Sequence, residues 1–154
     1  MVIVPASVHA SPFSSLDPVT LYALLRLRVD VFVVEQACAY PELDGRDTEP
    51  GTWHVWAAEA DQPVGYLRML VEPDRAYRIG RVCVARGHRG NGLAYTLMTE
   101  ALRLAADQPV VLDGQSYLRG WYERLGFDVC GPEFVEDGIA HLPMCRSAGR
   151  RAVG

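Results

Sequence analysis

The sequence contains no lysine: all fifteen basic side chains other than histidine are arginine. Cysteine is sparse, with four in 154 residues, and Cys38, Cys83, Cys130 and Cys145 do not show the spacing of a metal-binding pair. No apolar run reaches 18 residues, which argues against a transmembrane helix. The opening residues Met1-Val2-Ile3-Val4-Pro5 lack the charged start and long apolar stretch of an export signal. The four cysteines are therefore expected as reduced thiols in a cytoplasmic protein, with Cys83 and Cys130 as small core residues. Excess positive charge is missing too, and a net charge of −4 argues against general nucleic-acid binding.

What is present fits one globular domain. A hydrophobic share of 49% with 22% charged residues is ordinary for such a chain, and 154 residues suffice for a sizeable core. Residues 1–146 are expected to form the domain and residues 147–154 a flexible C-terminal tail.

Residues 2–8 read as a short strand interrupted by Pro5. Asp17-Pro18 is a helix start, a capping carboxylate followed by proline at the first helical position. Leu21, Leu24, Leu25, Val29, Phe32 and Val33 continue that helix near helical spacing. The β-branched and aromatic run 31–34 leaves its end open. Residues 35–51 are turn-rich and acidic, with Glu35, Glu42, Asp44, Asp47 and Glu49 against the single base Arg46. A short helix near 41–43 is expected within them. Long irregular segments in a small domain often carry function.

Residues 53–60 and 64–71 read as a hairpin turning at Asp61-Gln62-Pro63, and residues 77–84 as a third antiparallel strand. A helix over 91–106 precedes a strand at 109–112, expected parallel to its predecessor because a helix separates them. Asp113-Gly114 ends that strand. Residues 116–125 form a helix stopped by Gly126, and residues 127–130 and 139–145 are strands around the 132–138 connection. The fold class is α+β, a mixed α/β single domain.

The stretch that organises the chain is Arg86-Gly87-His88-Arg89-Gly90-Asn91-Gly92-Leu93-Ala94, a glycine-rich turn between a strand and a helix. Free N–H groups and the positive end of the helix dipole make such a place an anion site. Neither the P-loop nor the dinucleotide spacing fits these glycines.

Arg89-Gly90-Asn91-Gly92-Leu93-Ala94 resembles the acetyl-CoA signature of the GNAT acetyltransferase superfamily. Gln115-Ser116-Tyr117-Leu118-Arg119-Gly120-Trp121-Tyr122-Glu123-Arg124-Leu125-Gly126-Phe127 resembles a late motif of the same superfamily, with Gln115, Leu118 and Trp121 in place of its usual Asn, Ala and Phe. Leu21–Arg28, Val31-Phe32-Val33-Val34-Glu35-Gln36, Asp44-Gly45 and the run 136–144 resemble ElaA-type bacterial acyltransferases. The absence of lysine beside abundant alanine suggests a GC-rich bacterial genome.

The resemblance implies a mostly antiparallel sheet of six to seven strands, splayed between strands four and five, with flanking helices. It implies transfer of an acetyl group from acetyl-CoA to an amine, with no metal. N–H groups of Arg89, Gly90, Asn91, Gly92, Leu93 and Ala94 would hold the pyrophosphate. Val82, Cys83 and Val84 would pair with the pantetheine arm, and Gln115 is a further cofactor candidate. The Val84 N–H would polarise the thioester and Tyr122 would protonate the leaving thiolate. Strand 77–84 holds no carboxylate, so the general base is open among Glu35, Asp44, Asp47, His54 and His141. The acidic loop is expected to form the acceptor mouth and attract a cationic substrate. Two other readings stay open: a non-catalytic acyl-CoA-binding module, and an acyl-homoserine-lactone-synthase-like acyltransferase. Partners are acetyl-CoA and an unidentified amine, with neither nucleic acid nor membrane; a homodimer is open.

Overall fold

The computed structural model describes residues 5–149, so positions 2–4 of the expected first strand and positions 150–154 of the expected tail lie outside the described residues. The strands are β1 (Ser7–Pro12), β2 (Trp53–Glu59), β3 (Gln62–Val71), β4 (Tyr77–Val84), β5 (Val110–Gln115), β6 (Asp128–Val129), β7 (Phe134–Glu136) and β8 (Ile139–Arg146). They form one sheet in the order β1-β2-β3-β4-β5-β8-β6, with β7 paired to β8. The helices are α1 (Pro18–Val29), α2 (Leu93–Ala105) and α3 (Arg119–Arg124). Among the described strands only β4 and β5 pair in parallel, and α2 supplies the crossover that a parallel pair needs. This is the mixed α+β fold with flanking helices, one strand larger than expected.

Local chemistry accounts for most boundaries. Asp17 caps α1, its Oδ1 accepting the Thr20 N–H at 2.9 Å. Past Val29 the helix widens into a π-turn over Asp30–Glu35, which houses the β-branched run that blurred its end. The β7–β8 hairpin turns on Asp137-Gly138, at φ 51° and 76°, a left-handed pair suited to a two-residue turn. β5 continues through Asp113-Gly114 to Gln115 instead of ending there.

Alternation sorts side chains onto two faces of the sheet. One face carries Leu67, Met69, Ile79, Leu112, Leu142 and Met144 against Leu97, Met98 and Ala101 of α2. The other carries Tyr66 and Cys83 against Leu24 and Leu27 of α1 and Val31 beyond it.

The face under α1 also holds a buried ionic network. Arg28, fully buried, donates to Glu42 at 2.8 Å and to Asp47 at 2.6 Å. Arg68 donates to Asp44 at 2.8 Å and to Asp47 at 3.1 Å. Arg81 donates to Glu42 at 2.8 Å. The His54 Nε2 lies 3.0 Å from the Asp47 carbonyl, so this nitrogen donates, and the Nδ1 accepts from the Tyr66 hydroxyl at 2.7 Å. The helix expected near 41–43 does not form. Glu42 instead offers both its carboxylate and its carbonyl to Arg28.

The thiol expectation is corrected at one pair. Cys130 and Cys145 form a disulfide, their Cα atoms 5.9 Å apart, because β6 and β8 bring them side by side. Cys38 and Cys83 are free thiols. No described helix is long and apolar enough to cross a membrane.

Burial pushes the Asp47 carboxyl up, but the hydrogen bonds and charges of Arg28 and Arg68 together outweigh it and hold it below the usual range. Its contribution to stability is therefore complete above the unfolded aspartate value of about 3.9. It is lost as pH falls through the lower folded value. Asp47→Asn is expected to cost about 3–5 kcal/mol, the range for removing one partner of a buried pair. Urea unfolding from about pH 5 downward checks this, with the variant losing less to acid than the parent.

Candidate active site

The parallel ladder between β4 and β5 is short. Tyr77 pairs with Val110 and Arg78 with Val111, after which β5 stays with β8 and β4 with β3. The edges of β4 from Ile79 and of β5 from Leu112 then line a cavity of about 620 Å³. This is the splay expected between strands four and five.

An irregularity in β4 decides what that edge presents. Tyr66 pairs with Cys83 and Arg68 with Gly80, so β4 carries one extra residue there. Arg81 in this bulge has φ 55°, in the left-handed region. The Tyr77 N–H donates toward β5, to Pro109 O, at 2.9 Å. The Ala85 N–H donates to Val64 O, on the β3 side, at 2.8 Å. Eight residues of regular alternation would put both on the same side; the bulge reverses the order. Counting back from Ala85, the N–H groups of Val84 and Val82 point into the cavity. The same reversal turns Cys83 toward α1 while Ile79 faces α2.

Beyond β4 the chain makes one 3-10 turn, Arg86–His88, and enters α2 at Leu93. Gly90 and Gly92 sit at φ 83° and 82°, a conformation glycine adopts without steric cost. Their own α-carbons face open space. The first bond of α2 is Thr96 N–H to Gly92 O at 3.1 Å, so the N–H groups of Leu93, Ala94 and Tyr95 have no acceptor within the helix. They form the free donor end of α2 at one end of the cavity. Arg89 latches the turn in place. Its Nε donates to Val84 O at 2.9 Å, and its guanidinium meets Glu35 at 2.7 Å. Arg86 is highly exposed, 3.8 Å from the same carboxylate.

Tyr122 enters the cavity from α3. Its ring lies on β5 at Gly114, where a Cβ would come within 2.6 Å of Cε2. That close approach explains a glycine inside the strand. Burial pushes the Tyr122 phenol up to about 12, so it stays protonated at neutral pH. Cys83 is buried, and burial, followed by the nearby Glu42 charge, raises its thiol to about 12.

An acetyltransferase (GNAT) domain model matches residues 26–147. The chain belongs to the GNAT acetyltransferase family. Within this family it is of ElaA type. Escherichia coli ElaA is 38% identical over 139 residues, covering 86% of this chain and 91% of ElaA. The ElaA crystal structure superposes with a TM-score of 0.87 over 92% of this chain and 99% of its own. An acyl-CoA N-acyltransferase from Pseudomonas aeruginosa has the same TM-score at 40% identity, covering 92% and 99%. A UPF0039 protein of Mycobacterium tuberculosis is 47% identical over 135 residues, 85% of this chain and 86% of the relative.

For this GNAT chain, the residues singled out in the sequence fall into two groups. Val82, Cys83, Val84, Arg89, Gly90, Asn91, Gly92, Leu93, Ala94, Gln115, Tyr122, Glu35 and His141 all line the one cavity. Asp44, Asp47 and His54 do not. Asp44 and Asp47 are ion-paired to Arg68 and Arg28, and His54 is buried and hydrogen-bonded on both ring nitrogens. Glu42, Asp44 and Asp47 face Arg28, Arg68 and Arg81, so this part of the loop offers no excess negative charge to a cationic substrate. Sequence reasoning missed Gly114 and the Arg81 bulge, and no short-range pattern marks either.

Gly114→Ala is expected to cost roughly 1–3 kcal/mol through overpacking. The penalty should disappear in a Tyr122→Ala background, where the opposing ring is gone. Urea denaturation of the four-member cycle measures this coupling.

Proposed function

We propose that the chain is an N-acetyltransferase that moves an acetyl group from acetyl-CoA to a primary amine by direct attack. The observation that carries the reading is the shared cavity. The free N–H groups of the first turn of α2, Leu93–Tyr95, the inward N–H of Val84 and the phenol of Tyr122 converge on it. The 40% identical relative named an acyl-CoA N-acyltransferase supports the same assignment.

The diphosphate of the co-substrate seats on the donor end of α2, where the helix dipole and two left-handed glycines favour an anion. Arg89 and Arg86 stand beside it. The pantetheine arm runs along Val82–Val84 in the place of a missing strand, with Gln115 on the opposite wall. The acceptor nitrogen forms a bond to the thioester carbon, and the carbonyl electrons move to oxygen. The Val84 N–H stabilises that oxyanion, worth roughly 3–4 kcal/mol. The oxyanion then collapses, the C–S bond breaks, and the thiolate takes the Tyr122 proton. Cys83 plays no covalent part, because a thiol titrating near 12 is scarcely ionised at neutral pH.

The experiment is release of free CoA from acetyl-CoA across a panel of primary amines. Tyr122→Phe is expected to lower kcat about 10²-fold, the low end for general acid catalysis because a thiolate leaves readily. Its affinity for CoA should stay within about twofold, since the phenol acts late in the reaction. Unchanged kcat removes Tyr122 from the mechanism. CoA binding without turnover of any amine favours the binding-module reading.

A further inference from the structure

Direct transfer needs a neutral amine, so a group in the cavity must take the ammonium proton. Resting on that reading, we propose that His141 is the general base, taking the ammonium proton from the face of the sheet opposite Tyr122. Of the five candidates, Asp44, Asp47 and His54 lie outside the cavity, and Glu35 is engaged by Arg89. His141 is the one that lines the cavity with a ring nitrogen unused.

Three observations orient it. The Nδ1 lies 2.8 Å from the Ile139 carbonyl, which can only accept. In the neutral ring the Nδ1 therefore carries the hydrogen, and the Nε2 keeps its lone pair. The ring stacks on Phe134 at 5.6 Å and 19°, which fixes its plane. Across the β5–β8 ladder His141 pairs with Gln115, and Leu142 with Gly114. Gly114 and Leu142 belong to the α2–α3 face, on which Tyr122 rests. Alternation then puts Gln115 and His141 on the α1 face.

Acid and base thus reach the gap between β4 and β5 from opposite faces of the sheet, so the entering amine and the leaving sulfur are each served by a separate group. The charged group on the same face of β5 is Asp113, tied to Arg78 at 3.4 Å. On β7 Glu136 pairs in register with Ile139, and beyond β5 Glu133 accepts from Ser116 at 3.0 Å. None of these carboxylates bonds to the imidazole among the described residues.

The proton balance closes. The ammonium gives one proton to the His141 Nε2, which passes it to solvent. After attack, the nitrogen loses a second proton, which replaces the one Tyr122 gives to the departing thiolate. The products are the amide, free CoA and one proton.

Two measurements test the proposal. Long-range proton–nitrogen NMR of the whole protein is expected to show the Nδ1–H tautomer at His141; an Nε2–H tautomer overturns the base alone. His141→Gln is then assayed with ethylamine, protonated at neutral pH, and with hydroxylamine, already neutral there. The variant is expected to lose at least ~10²-fold in kcat/KM with ethylamine and far less with hydroxylamine. Equal loss with both amines, or no loss with either, overturns it. Wild-type protein that turns over neither these nor any other amine overturns the transfer reading itself, and the base with it.

Discussion

Between Tyr66 and Arg68 of β3, the facing stretch of β4 carries one residue too many, and Arg81 absorbs it in the left-handed region. A non-glycine residue there is disfavoured by roughly 1–2 kcal/mol. The conformation persists because the Arg81 guanidinium is held by two carboxylates of the acidic loop. Its Nε donates to Glu42 at 2.8 Å and its Nη2 to Asp44 at 3.3 Å. Without the extra residue, Val84 would direct its N–H into β3 and the cavity would lose that donor.

The buried network is best understood through this constraint. Taking Arg28, Glu42 and Asp47 out of water carries a desolvation cost, and such pairs add little net stability compared with apolar packing. What the network supplies is registration. It ties α1, the irregular segment and strands β2, β3 and β4 to one another on a single face. The acidic character that made this loop look like a substrate mouth is spent inside the protein. The open wall of the cavity is formed elsewhere, by the π-turn residues Phe32 and Glu35 and by His141.

Much of this was legible in the sequence because it depends on near neighbours. The Asp17-Pro18 start, the Gly90 and Gly92 turn and the period of α2 each report a short-range rule, and each stands where its residues put it. The unread features depend on residues far apart in the chain. Nothing near Asp47 reveals that Arg28 and Arg68 will enclose it. The Cys130–Cys145 bond depends on β6 and β8 being neighbours. Gly114 looked like a strand end because glycine usually punctuates; here it makes room for a ring eight positions further on. β7 went unnoticed because three residues carry too little periodicity, although its Asp137-Gly138 turn was a hairpin signal.

Two sets of backbone donors must meet one ligand, so a crystal structure of the chain with bound acetyl-CoA is the decisive experiment. Diphosphate oxygens are expected within hydrogen-bonding distance of N–H groups between Gly90 and Tyr95. The thioester oxygen is expected on the Val84 N–H, with the Tyr122 hydroxyl beside the sulfur. A ligand seated away from the β4–β5 gap, or a Val84 N–H turned back toward β3, contradicts it.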